Sequence, residues 1–182
     1  MAENKANVPV EKAVATTAPA SKSFYRFDTA KAVQATIEEM SKAKQTVKAS
    51  GKGGGRGVPS LNLCCADGNR KSLKLSKSLY ESLYGAIDED AEAKELQVLR
   101  DGTNLIISEK FPDVKESFPF SNPTSMMVYN ASLVLWMVDV FDLDFSNGRT
   151  SRSYQKIEIV MPEENSVNKP YAIIDMTRPV KK

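Results

Sequence analysis

Histidine is absent from the chain's 182 residues. Without imidazole, the commonest general base near neutral pH and the commonest metal ligand are both missing. Serine–histidine and cysteine–histidine nucleophile pairs are therefore excluded, while carboxylate and lysine chemistry stay open. Cysteine is nearly absent too. The only two, Cys64 and Cys65, are adjacent, and two neighbouring thiols cannot supply a spaced zinc site. On a strand they would point to opposite faces, which favours two reduced thiols, at least one of them in the core, over a redox pair. No apolar run approaches the roughly 20 residues of a membrane span, and no apolar stretch of secretory kind opens the chain. A cytoplasmic location is expected, with no membrane, no cofactor and no small-molecule substrate indicated. With no catalytic or metal-binding set of side chains in view, a non-enzymatic role is expected.

What is present is ordinary in amount and uneven in distribution. Hydrophobic residues make up 41% and charged residues 26%, enough for one core domain plus a tail. The formal net charge is +2, but it divides along the chain. Residues 1–59 carry ten Lys or Arg against five Asp or Glu, about +5, and the remainder fifteen against eighteen, about −3.

Residues 1–23 are rich in Ala, Thr, Ser, Pro and Lys. Such a segment buries too little apolar surface to offset its ordering entropy, so a disordered tail is expected. Phe24, Tyr25 and Phe27 follow, and Asp28 or Thr29 suits the N-cap of an arm helix within 24–49. Its apolar positions, Ala30, Val33, Ile37, Met40 and Val47, form a thin stripe, with Lys44 in the expected core slot. That stripe suits docking better than independent stability. Phe24, Tyr25, Phe27, Val33, Ile37 and Met40 are thus the candidate partner-binding residues. Lys42, Lys44, Lys48, Lys52 and Arg56 come next with no acid among them, leading through a basic glycine-rich linker over 50–59. Its KGGGRG lacks both a leading strand and the Lys-Ser/Thr that closes a phosphate-binding loop. A glycine-spaced basic arm tracking a phosphate backbone is the stronger functional reading, and a solubilising linker is the plainer one.

A globular domain is expected over 60–177, followed by a short basic tail over 178–182. Asp67-Gly68-Asn69 between two apolar runs signals a hairpin. Ser76 is placed to cap a short helix with Leu79 and Leu83 on its core face, and Gly85 to end it. Strands are expected around Leu96 and Val98 and over 105–107, joined at Asp101-Gly102. Pro119 makes 116–120 an edge strand. Ser121 or Asn122 would cap a helix over 124–141 with Pro123 in its first turn. That helix would span about 27 Å, and its apolar heart at 133–138, holding Trp136, makes it the expected central core helix. Strands over 154–161 and 171–176 complete an α+β architecture: a mainly antiparallel sheet packed on one long central helix, behind a disordered or extended N-terminal arm.

The stretch KSLKLSKSLYESLYG through ELQVLRDGTNLIIS, residues 71–108, resembles the swapped-hairpin DNA-binding domains of AbrB-like regulators and antitoxins. Leu73, Leu75, Leu79, Leu83, Val98, Leu105 and Ile107 would fill the corresponding core positions. The resemblance implies an intertwined dimer with basic side chains over DNA. The link from Gly85 to Glu95 is longer and more acidic than the family's tight connection, and some seventy residues follow.

Three constellations carry chemistry. Asp139, Asp142 and Asp144 end the expected long helix and offer oxygen ligands for Mg2+ or Ca2+, although their spacing matches no calcium loop and solvated turn acids explain them more simply. Asp88, Glu89, Asp90, Glu92 and Glu95 read as a solvated acidic link. Arg149, Thr150, Ser151 and Arg152, followed by Ser153, combine forked guanidinium donors with hydroxyls at a turn, a set suited to phosphate; a polar hairpin approach explains the same letters without function. The leading expectation is a nucleic-acid-binding accessory or regulatory protein using Lys42, Lys44, Lys48, Lys52, Arg56 and residues 149–152. The alternative is a protein-interaction module, an inhibitor or assembly factor of the kind that phages and mobile elements encode, which captures a protein partner or self-associates.

Overall fold

The computed structural model describes residues 45–47 (backbone only), 57–66, 71–87, 92–112, 114–122, 124–146, 148–162 and 169–180. In chain order the elements are β1 (Gln45–Val47), β2 (Leu61–Cys65), β3 (Lys71–Leu75), α1 (Lys77–Tyr84), β4 (Glu95–Asp101) and β5 (Asn104–Ser108). They continue with β6 (Phe118–Pro119), β7 (Met127–Val128), α2 (Ala131–Val140), β8 (Ser151–Tyr154), β9 (Ile157–Met161) and β10 (Tyr171–Asp175). Two sheets result, six-stranded in the order β1-β9-β10-β5-β4-β6 and four-stranded in the order β7-β3-β2-β8. Every strand pair is antiparallel.

Alternation decides which faces meet. In the four-stranded sheet Leu61 and Leu63 on β2 pair with Leu75 and Leu73 on β3, and all four are fully buried. They join Leu96 and Val98 of β4, Leu105 and Ile107 of β5, and Ile174 of β10 in one continuous core. Both helices contribute to the same cluster, α1 through Leu79 and Leu83, and α2 through Leu133, Val134, Trp136 and Met137. The opposite face of the six-stranded sheet is apolar as well, with Leu99, Ile106, Phe111, Val160 and Tyr171 forming a second cluster. This explains the near-continuous hydrophobic run of β5.

Local chemistry sets the element ends. The Ser76 hydroxyl accepts from the backbone N–H groups of Leu79 at 3.3 Å and Ser60 at 2.9 Å, capping α1 and tying it to the start of β2. Gly85, at φ 84°, ends α1 in a conformation that side chains other than glycine's resist. Phe118–Pro119 lies at the sheet edge beside β4, where proline's missing donor costs no ladder bond.

The architecture corrects the expectation of a sheet on one long central helix: there are two sheets and, among the described residues, two short helices. The stretch expected as a helix over 124–141 is divided. Asn122 accepts from the Ser125 N–H at 2.5 Å, so its side chain closes a turn instead of capping a helix. Met126 then adopts φ 50°, a left-handed conformation that interrupts α-helical propagation. Met127 and Val128 instead pair with Lys74 and Leu73 of β3. The true N-cap is Asn130, which accepts from the Leu133 N–H at 2.8 Å, and the ten-residue helix α2 is about 15 Å long. Of the strand expected over 154–161, Ile157–Met161 form β9, while Tyr154 ends β8, whose Ser151–Ser153 were expected in a turn and which lies in the other sheet. Gln45–Val47, expected near the end of the arm helix, form an edge strand on β9. The rest of the arm helix, the 1–23 tail and the tip of the hairpin at 67–70 lie outside the described residues.

Gln97 holds the loop after β5 against the six-stranded sheet. Its side-chain oxygen accepts from the Phe111 N–H at 2.6 Å, and its amide donates to the Val114 carbonyl at 3.0 Å, with the residue itself buried. Gln97→Leu should therefore cost about 1–3 kcal/mol, because it strands the buried Phe111 N–H and removes the half-buried contact to Val114. Urea unfolding checks this; a loss below about 0.5 kcal/mol would show that the loop is held otherwise.

Candidate anion-binding cleft

The C-terminal segment after β10 folds back beside β8. Asp175 starts that path: its carboxylate accepts from the Thr177 N–H at 3.0 Å and from the Thr177 hydroxyl at 2.6 Å, the local geometry that aspartate favours in turns. Lys156 donates to the same carboxylate at 2.8 Å, and Arg178 stands 3.8 Å from it. Pro179 then bridges to Tyr154, and the Val180 N–H donates to the Ser153 carbonyl at 2.7 Å.

Between this segment and β8 opens a cleft of about 660 Å³, lined by Arg149, Thr150, Ser151, Arg152 and Ser153 from one side and by residues 177–180 from the other. Three arginines and four hydroxyl side chains are among its nine lining residues, and no carboxylate is. The three guanidiniums are held differently. Arg152 lies over the Phe145 ring at 5.5 Å and donates to the Asp144 carbonyl oxygen through Nε at 2.9 Å and through Nη2. That acceptor is neutral, so the arginine is oriented without losing its charge. Arg178 is mostly exposed, and its contact with Asp175 is long, the kind of surface pair that contributes little. Arg149 is exposed beside Gly148, whose φ of 71° turns the chain into β8.

Two acids border the cleft without lining it. The Asp144 carboxyl is held below its ordinary value first by hydrogen bonds from the Ser146 side chain and backbone, and then by Arg152 and Arg149 nearby. Asp175 is lowered to about 2, chiefly by the Lys156 hydrogen bond and then by the Thr177 hydroxyl. The Tyr154 hydroxyl is buried beneath β8 with no hydrogen-bond partner among the described residues, and burial raises its pKa.

Of the residues singled out on the sequence, Arg149, Thr150, Ser151 and Arg152 come together here with Ser153. Arg178 and Thr177 were not singled out as site residues; their only signal was the basic character of the tail. Lys42, Lys44, Lys48, Lys52 and Arg56 lie outside the described residues, as do Phe24, Tyr25, Phe27, Val33, Ile37 and Met40 and the run of acids at 88–90. Asp139, Asp142 and Asp144 form no metal-binding group: among the described residues no three acids or thiols converge. Their arrangement is a helix stop. Asp142 takes φ 48°, its N–H donates to the Asp139 carbonyl at 3.3 Å, and the Leu143 N–H donates to the Val138 carbonyl at 2.9 Å. This is the Schellman pattern with aspartate where glycine is usual.

No protein-family model matches the chain, and neither the curated proteins nor the solved structures contain a match.

Asp142→Gly should stabilise the fold by about 1 kcal/mol by relieving the left-handed backbone, read as a rise in the urea midpoint; an unchanged or lower midpoint would show that the aspartate side chain offsets that strain. Asp175 sets a pH dependence. Its folded pKa of about 2 lies below the ordinary value of about 3.9. Its stabilisation is therefore complete above about pH 4 and lost as pH falls toward 2. The melting temperature of Asp175→Asn should fall less steeply than wild type's across that window. Parallel curves would show that the carboxylate has no folded-state advantage.

Proposed function

We propose that the protein is a non-enzymatic nucleic-acid-binding accessory or regulatory protein that holds phosphate groups in the cleft between β8 and the C-terminal segment. The observation that carries this reading is the lining itself, which brings Arg149, Arg152 and Arg178 together with four hydroxyl residues at one cleft. Guanidinium offers a planar fork matched to phosphate oxygens, and hydroxyl and backbone donors add short contacts that fix register. Arg152 is pre-oriented by Phe145 and the Asp144 carbonyl, so less side-chain freedom is lost on binding. The basic run from Lys42 to Arg56 adds a sequence-independent attraction for the same polyanion. The chemistry proposed is backbone recognition.

Anisotropy of a labelled oligonucleotide at about 50 and about 200 mM salt tests this. Wild type should bind tightly at the lower salt and lose affinity steeply at the higher. Arg149→Ala and Arg178→Ala, both at exposed positions, should each weaken binding and lower the salt slope by about one phosphate contact. Binding by both variants equal to wild type would remove the cleft from the interface. Absence of wild-type binding at low salt would end the nucleic-acid reading and turn attention to a protein partner.

A further inference from the structure

The outer face of the four-stranded sheet, turned away from the core, leads directly into the cleft. Two cross-strand rows run over it. In one, Lys74 of β3 is paired with Asn62 of β2, and Asn62 with Ser153 of β8. In the other, Ser72 pairs with Cys64, and Cys64 with Ser151. Both rows therefore end on serines that line the cleft.

At the far edge, β7 pairs Met127 with Lys74 and Val128 with Leu73. Val128 is buried against the core; continued by one residue past the end of β7, the register would set Tyr129 opposite Ser72 on the outer side. Its side chain is 64% exposed, and among the described residues it is the one exposed aromatic. An exposed tyrosine on a sheet edge buries no core area. Here it stands at the end of a polar row whose other end is an arginine-lined cleft. Three inter-strand spacings separate the two ends, about 14 Å.

We propose that this face is the track of an unpaired nucleic-acid strand, which crosses the four strands with a phosphate in the cleft and a base stacked on Tyr129. This rests on the phosphate reading of the cleft and adds the class of nucleic acid. The arginine cleft by itself attracts single and double strands alike, because both carry the same backbone charge. Tyr129 discriminates: a duplex hides its base faces in its own stack, whereas an unpaired strand can offer one to an aromatic side chain. The chemistry between the two ends suits a strand lying flat. It is half-buried hydroxyl, amide and thiol, the Asn62 side-chain oxygen being buried, with Lys74 exposed on β3, and β2, β3 and β8 carry no carboxylate to repel phosphate. RNA and DNA both satisfy these contacts.

The full-length chain is titrated against a labelled thymidine oligonucleotide and against the same strand annealed to its complement, with Tyr129→Ala, Tyr129→Phe, Arg149→Ala and Arg178→Ala. Thermal melts verify that each variant folds. Tyr129→Ala should lose about 5- to 100-fold in affinity for the single strand, the range for one stacked base. It should bind the duplex as wild type does, and Tyr129→Phe should retain single-strand affinity. If Tyr129→Ala binds the single strand as wild type while the arginine variants lose it, the track is overturned and the phosphate cleft stands. If the arginine variants also bind as wild type, the cleft reading itself falls.

Discussion

The crossing between the two sheets is the constraint on which the site depends. Only Gln155 and Lys156 separate β8, in the four-stranded sheet, from β9, in the six-stranded one. A strand that leaves one sheet so abruptly needs anchors on both sides. Tyr154, fully buried, anchors the first side. On the second, the Asp175 N–H donates to the Lys156 carbonyl at 3.2 Å while the Lys156 ammonium reaches the Asp175 carboxylate at 2.8 Å. The end of β10 is thereby fixed beside the exit of β8. The chain leaving β10 then has one open edge to follow, and residues 177–180 run along β8 to close the cleft. The cleft follows from how the two sheets are joined.

The same joining explains what the sequence concealed. Strands with one buried face announced themselves by alternation, as Leu61, Leu63, Leu73 and Leu75 did, and α1 was legible from its Ser76 cap and Gly85 stop. Residues 124–141 were not, because a short apolar run has no periodicity that separates strand from buried helix. Leu133 through Val138 are helical, yet Met127 and Val128, of similar character, are drawn into β7 by a free edge on β3. The decisive event is the Met126 backbone at φ 50°, which residue type does not signal. Asp142, read more simply as a turn acid than as a ligand, sits in a left-handed helix cap that its residue type does not signal. Residues 71–108 follow the element order expected of a swapped hairpin, but β3 lies in one sheet and β4 with β5 in the other. The cleft was half legible. Residues 149–153 are contiguous and visible as a set, whereas Arg178 joins them through a contact between distant parts of the chain that no local pattern carries.

Three like charges around one cleft would destabilise a fold that had to bury them. Here the cost is kept small by exposure. Arg149 and Arg178 are exposed, and repulsion between charges in water is weak. Arg152, the most enclosed, is satisfied by a carbonyl oxygen and an aromatic face, partners that orient a cation without neutralising it. Had a carboxylate filled that role, the arginine would be charge-compensated, and an incoming phosphate would have to displace or repel the acid. Asp144 instead turns its carboxylate to Ser146 and offers the arginine its main chain. Arg152 is therefore oriented by its neighbours without a carboxylate among its hydrogen-bond acceptors, which is what the proposed anion-binding role asks of it.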